Sequence, residues 1–152
     1  MDDFPTPFTN FNFSVEIDVG PLSRVCAAAF SDVDGLEMTI EPKTIREGGN
    51  NTGPVHMAGQ VGYGQLTLKR GMTANFDLWT WFDNVAAPGG GGQRGTATIV
   101  MQGSDGTGQM QFQLTGVLPV KLRAPALNAK DGIVAIEEMS LVYELMSWGP
   151  PS

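Results

Sequence analysis

The sequence predicts a mainly β domain with one short helix, on three observations. Apolar and polar residues alternate with a period of two along several segments. Turn formers are abundant, with 20 glycines and 10 prolines in 152 residues. One segment, between Thr73 and Ala86, carries the helical period instead.

The elements follow in chain order. Phe11, Phe13, Val15, Ile17 and Val19 alternate with Asn12, Ser14, Glu16 and Asp18, which gives a strand one apolar and one polar face. A strand is expected from Phe30 to Ile45, bent near Gly35 and Pro42, and another from Tyr63 to Arg70. Thr73 then supplies an N-cap, and Phe76, Trp79, Phe82, Val85 and Ala86 recur at spacings of three and four until Pro88 and the run Gly89 to Gly92 stop the helix. The aromatic face Phe76, Trp79 and Phe82 needs apolar cover, which the flank of a β-barrel or a neighbouring subunit would provide. Thr96 to Gln102 and the alternating Gln109 to Thr115 flank the turn cluster Gly103 to Gly108, and so read as a hairpin. Ile133 to Leu145 completes about six or seven strands.

Length and composition are consistent with one core, since a chain of this size buries roughly two thirds of the surface its unfolded form exposes. Charged residues make up only 16%, against about 25% in an average soluble domain, as expected of a surface that is partly covered by partners. A formal charge of -7 argues against a grip on phosphate backbones. The single cysteine has no disulfide partner within the chain, and one histidine leaves no Cys/His metal pattern. The start, Met1 to Pro5, is acidic and proline-broken rather than basic then apolar, so no signal peptide is expected. The apolar stretch Val25 to Phe30 is far shorter than the roughly 20 residues of a membrane span. Cytoplasmic synthesis is the expectation.

Each candidate for chemistry has a plainer reading. The glycine run Gly89 to Gly92 follows a helix and precedes a strand, the reverse of a phosphate-binding loop, and reads as a connector. His56 sits between turn-rich flanks with no nucleophile patterned near it, and is expected in an exposed loop. Glu137 and Glu138 are adjacent in a strand and point to opposite faces. Glu16 and Asp18 share a face, as any solvated strand face would allow. Cys26 lies in an apolar run and reads as a small buried side chain. No catalytic residue, cofactor site or metal site emerges.

Four separated segments carry a resemblance. Arg46-Glu47-Gly48-Gly49-Asn50-Asn51, Leu66-Thr67-Leu68-Lys69-Arg70-Gly71, Leu78-Trp79-Thr80-Trp81 and Leu127-Asn128-Ala129 leading into Val134-Ala135-Ile136-Glu137 stand in the order and spacing of the inner-tube proteins of contractile phage tails and related contractile injection systems. The chain resembles that family over nearly its whole length. The resemblance implies one domain over residues 1–152, with flexible ends at 1–9 and 147–152. Its fold would be a small β-barrel or two-sheet sandwich with a flanking helix at about 73–86, assembling through sheet edges into rings. Those rings would be homo-hexamers stacked into a hollow tube, with a sheath protein, baseplate and tail-terminator proteins as partners. The lumen would pass effector cargo or DNA without binding it specifically, and the subunit would not insert into a membrane. Arg46, Glu47, Gly48, Gly49, Asn50 and Asn51 match the tip of a long hairpin that reaches toward the next ring, with Tyr63 to Gly71 as the returning strand. Multiplied around a ring, the acidic charge is expected to place some carboxylates in the channel. The chain departs from the family pattern in the glycine run before Gln93 and in its proline-rich end, Gly149 to Ser152. Alternatives are a type VI secretion tube protein, a monomeric ligand-binding β-barrel, or a hydrolase built on Glu16 and Asp18.

Overall fold

The computed structural model describes residues 12–19, 24–45, 53–72, 75–88, 94–125 and 135–151. Among these residues ten strands and one helix run in the order β1 (Asn12–Asp18), β2 (Arg24–Phe30), β3 (Asp32–Asp34), β4 (Met38–Ile45), β5 (Val55–Tyr63), β6 (Leu66–Gly71), α1 (Asp77–Ala86), β7 (Gly95–Gln102), β8 (Gly108–Arg123), β9 (Ile136–Val142) and β10 (Leu145–Gly149). Eight strands form one antiparallel sheet in the order β2-β1-β7-β8-β9-β6-β3, with β10 also on β8; β4 and β5 pair separately.

Strand β8 belongs to two layers. Its first part pairs with β7 and β10, and from Leu118 onward it pairs with β9. The change falls beside Gly116, whose φ of +66 and close approach to the Glu144 side chain both favour glycine. Between the layers lies one core. Val15, Ile17, Cys26, Ala97, Ile99 and Leu114 come from one side, Leu66, Leu68, Met139 and Leu141 from the other, and Leu78 and Trp81 of α1 join them. Among the described residues the sheet ends at β2 and β3 without closing, which is the two-sheet form of the expected fold.

Strand β1 and the hairpin β7–β8 lie where the sequence places them, Phe11 being outside the described residues. Among the described residues the strand count rises from six or seven to ten, because two long runs are each broken in two and because β2 and β5 are not among the expected strands. Phe30 to Ile45 is interrupted at Ser31 and at Gly35, whose φ is +106 and whose absent Cβ would meet the Gln65 carbonyl oxygen at 2.1 Å. Ile133 to Leu145 gives way to β9 and β10 around Tyr143 and Glu144. The latter continues along the same side of β8, so Ser147, Trp148 and Gly149 are strand residues inside the segment expected to be flexible. Strand β5, with glycines at 59 and 62 and weak alternation, gives little sequence signal. His56 accordingly lies on an exposed strand opposite Thr44, not in a loop. The helix begins at Asp77 rather than just after Thr73, and Asn75 Oδ1 accepts the Asp77 amide at 3.2 Å. Thr73 and the run Gly89 to Gly92 lie outside the described residues.

Candidate assembly surfaces

A buried polar cluster fixes α1 to the second layer. Arg70 on β6 and Glu137 on β9 are cross-strand partners, and Arg70 Nε donates to Glu137 Oε1 at 2.6 Å. Arg70 Nη2 also donates to Asp77 in the first turn of α1, while Trp79 Nε1 donates to the second Glu137 oxygen at 2.8 Å. The guanidinium lies 5.2 Å from the Phe30 ring centroid. Burial opposes its charge, but the hydrogen bonds to Asp77 and Glu137 and the charge of Asp77 more than offset that, and its pKa is raised. Cys26 packs beside it, and desolvation pushes the thiol up to about 12. Such a thiol is a packing group rather than a nucleophile.

The hairpin β4–β5 is the first outward-facing surface. Met38 is 49% exposed, Ile40 53%, Met57 52% and Val61 46%. Its root is held by Tyr143, whose hydroxyl lies 2.9 Å from the Gly35 carbonyl oxygen and 3.3 Å from that of Glu37, and whose ring tilts against Tyr63 at 5.4 Å. Ile40 pairs with Val61 and Pro42 with Ala58, so Gly59 and Gln60 stand opposite Glu41 alone as a bulge in β5. A Cβ at Gly59 would lie 2.2 Å from the Glu41 carbonyl oxygen. The bulge slips the alternation of β5. Met38, Ile40, Val61 and Tyr63 share one face near the root, whereas Ile45, Val55 and Met57 fall on the opposite face toward the tip.

The outer faces of the two layers differ in chemistry. Across β1, β7, β8 and β10, Glu16 aligns with Thr98, Gln113 and Ser147; Ser14 with Val100, Gln111 and Gly149; and Asp18 with Thr96, Thr115 and Leu145. The only charges in these rows are Glu16 and Asp18, and both are neighbours of Arg24 on β2, at 3.7 and 3.1 Å. The other layer carries Asp32, Asp34, Lys69, Glu138, Lys121 and Arg123 on its outer face. One side of the subunit is therefore almost neutral, the other richly charged.

Arg46, Glu47, Gly48, Gly49, Asn50 and Asn51 lie outside the described residues, but β4 and β5 run into and out of that segment. The strand returning from the tip is β5, not Tyr63 to Gly71; most of the latter is β6, which belongs to the main sheet. On the helix, Leu78 and Trp81 are the buried residues. Trp79 and Phe82 are half-buried and Phe76 is 58% exposed, so Phe76 is free to meet a neighbour. Sequence reading missed the role of Glu137, which is 1% exposed. The one local signal is parity: Glu137 falls on the same strand face as Met139 and Leu141, and Arg70 on that of Leu66 and Leu68.

An apolar exposed hairpin and, among the described residues, open sheet edges are features of a subunit that packs against other chains. The sequence profile described as "T4-like virus tail tube protein gp19" matches residues 9–147, and the chain belongs to that family. A chain in the cryo-electron microscopy structure of the anti-feeding prophage baseplate, six-fold symmetrised, is similar at 26% identity and a TM-score of 0.76, over 98% of both chains. A chain of the sheath–tube complex of an extracellular contractile injection system in its extended state shares the fold at 22% identity and a TM-score of 0.73, over 98% of this chain and 94% of that one. A crystal structure of an Hcp protein shares it at 10% identity and a TM-score of 0.63, over 92% and 91%. No curated protein matches the chain. Among the described residues no helix is long and apolar enough to cross a membrane.

Proposed function

We propose that this tail tube protein forms hexameric rings that stack into the hollow inner tube of a contractile phage tail or injection particle, enclosed by a sheath and closed by baseplate and terminator proteins. Its work is assembly rather than catalysis. The observation that carries the reading is the hairpin β4–β5, which presents apolar side chains on both faces and forms a sheet of its own. Exposed apolar surface of that extent marks a place where another chain sits. The opposed faces at root and tip suit contact with two different copies, one near the root and one in the adjoining ring near the tip. The almost neutral outer face of β1, β7, β8 and β10 is the surface best suited to a channel, because hydroxyls and amides give passing effector or DNA no strong point of attachment. In this arrangement Glu16 and Asp18 are the channel carboxylates, each offset by Arg24.

Replacing Arg46 and Glu47 by alanine tests the stacking part of this proposal. The double variant should fold as the wild type does, yet give shorter or fewer tubes in negative-stain micrographs, because charge-assisted contacts at the tip are gone while the core is untouched. Unchanged tube length and yield would remove the tip from the stacking interface.

A further inference from the structure

We infer that the hairpin β4–β5 is an arm hinged on the main sheet at residues 35–37 and 64–65, and that the Tyr143 hydroxyl is the pin that sets its angle. The hinge belongs to the single subunit, so it goes beyond the tube reading and stands without it.

Two ladders meet end to end at this place. Strand β3 pairs with β6 as far as Asp34↔Thr67, and β4 pairs with β5 from Met38↔Tyr63 outward, in the same register. In the gap between them the ladder lapses. The Gly64 amide donates to the Glu37 carbonyl oxygen across a long 3.4 Å, while the Glu37 amide turns back to the Gly35 carbonyl oxygen at 3.0 Å. Beyond the gap, neither β4 nor β5 pairs with any other described strand. The arm is therefore continuous with the sheet in sequence and register but not in hydrogen bonding.

The strand pair also rolls over in the gap. Simple alternation would put Leu36 and Tyr63 on the outer face with Asp34, Thr67 and Lys69, yet both pack against the core. Gly35 makes the roll, since its φ of +106 is open to glycine and its missing Cβ leaves room for the Gln65 carbonyl oxygen. Gly64 clears the other strand: a Cβ there would lie 2.5 Å from the Glu37 carboxylate. A joint of this kind confines backbone rotation to a few residues, which is how hinges move a rigid element.

Tyr143 stands across the joint. It follows β9 in the main sheet and is 7% exposed. Its hydroxyl donates to the Gly35 carbonyl oxygen at 2.9 Å with that of Glu37 at 3.3 Å, and its ring leans on Tyr63 at 5.4 Å. One side chain of the sheet thus grips both strands of the arm, the backbone of one and the ring of the other. An arm with apolar residues on opposite faces at root and tip presents both correctly at one angle only, and the hydroxyl is the directional part of the grip. Tyr143 is a positioning residue for the arm.

Spin labels test the hinge. In a parent chain carrying Cys26→Ala, the exposed sites Lys43→Cys on β4 and Thr96→Cys on β7 take nitroxides, and double electron–electron resonance reads the distance between them below the concentration at which the chain polymerises. The parent should give one narrow distance distribution. Adding Tyr143→Phe, which removes the hydroxyl alone, should widen it, while amide exchange in β1, β7, β4 and β5 stays at the parent rate because the arm swings as a unit. A distribution as narrow as the parent's would overturn the pin, as would a parent distribution that is already broad. Widening with faster exchange throughout β4 and β5 would mean that the hairpin melts rather than swings, and would overturn the hinge. If Tyr143→Phe does not fold, Gly35→Ala decides: the added Cβ must push Gln65 aside and should shift the centre of the distribution with β1 and β7 still protected, whereas an unmoved centre would refute the joint. None of these readouts requires a ring.

Discussion

Arg70 and Glu137 show how a polar pair can hold a β domain together. Two carboxylates, an indole N–H and a guanidinium satisfy one another where the helix meets the sheet, so deleting one member leaves charge buried without its partner. Glu137→Ala should lower unfolding stability by about 3–5 kcal/mol in denaturant titrations at concentrations where the chain is not polymerised. A loss below about 1 kcal/mol would mean that solvent reaches the cluster. Cys26 gives a pH signature of its own. Its folded pKa of about 12 exceeds the ordinary 9.0 because the thiol is desolvated, so the folded state retains a proton that the unfolded chain gives up between those values. Stability contributed by the buried neutral thiol is fully present below pH 9.0 and is lost as pH rises toward about 12. Cys26→Ala should flatten that alkaline decline in thermal melts, whereas an unchanged decline would assign it to other groups. The sequence made Cys26 legible as a buried residue because its neighbours are apolar, but burial of Glu137 depends on a partner 67 positions away.

At the scale of elements, local pattern was enough wherever a strand had one wet and one dry face. Strand β1 and the hairpin across Gly103 to Gly108 are such cases, and Asp105 Oδ1 accepting the Thr107 amide at 3.0 Å supplies the expected turn chemistry. Strand β5 escaped notice because every side chain along it is exposed or half-buried, leaving no alternation for burial to impose. The helix start was misplaced because Thr73 fits a cap by type, while the fold holds α1 by Arg70 and Asp77 and begins it there. The bulge in β5 could not be read without its partner strand. Gly59→Ala should disturb the hairpin alone: amide exchange should quicken in β4 and β5 and tube yield should drop, while protection of β1 and β7 stays as in the wild type. Slower or unchanged exchange in the hairpin would show that the bulge tolerates a side chain.

At the scale of the whole molecule, the chain belongs to the tail tube family. Its family was recognisable from the order of four segments, yet the distribution of charge between two outer faces was not, because it depends on which strands share a layer. Net charge leads to the expectation of some carboxylates in the channel, and the layering adds that one outer face is almost neutral while the other carries opposed charges. Cryo-electron microscopy of tubes assembled from the purified protein tests this most directly. The expected map has six-fold rings stacked head to tail, a continuous channel lined by Ser14, Thr98, Gln111 and Gln113, and the charged face of Asp32, Lys69, Glu138 and Arg123 away from the lumen. A chain that remains monomeric at high concentration even with sheath and baseplate present, or tubes whose channel is lined by Lys69, Glu138 and Arg123, would contradict the account.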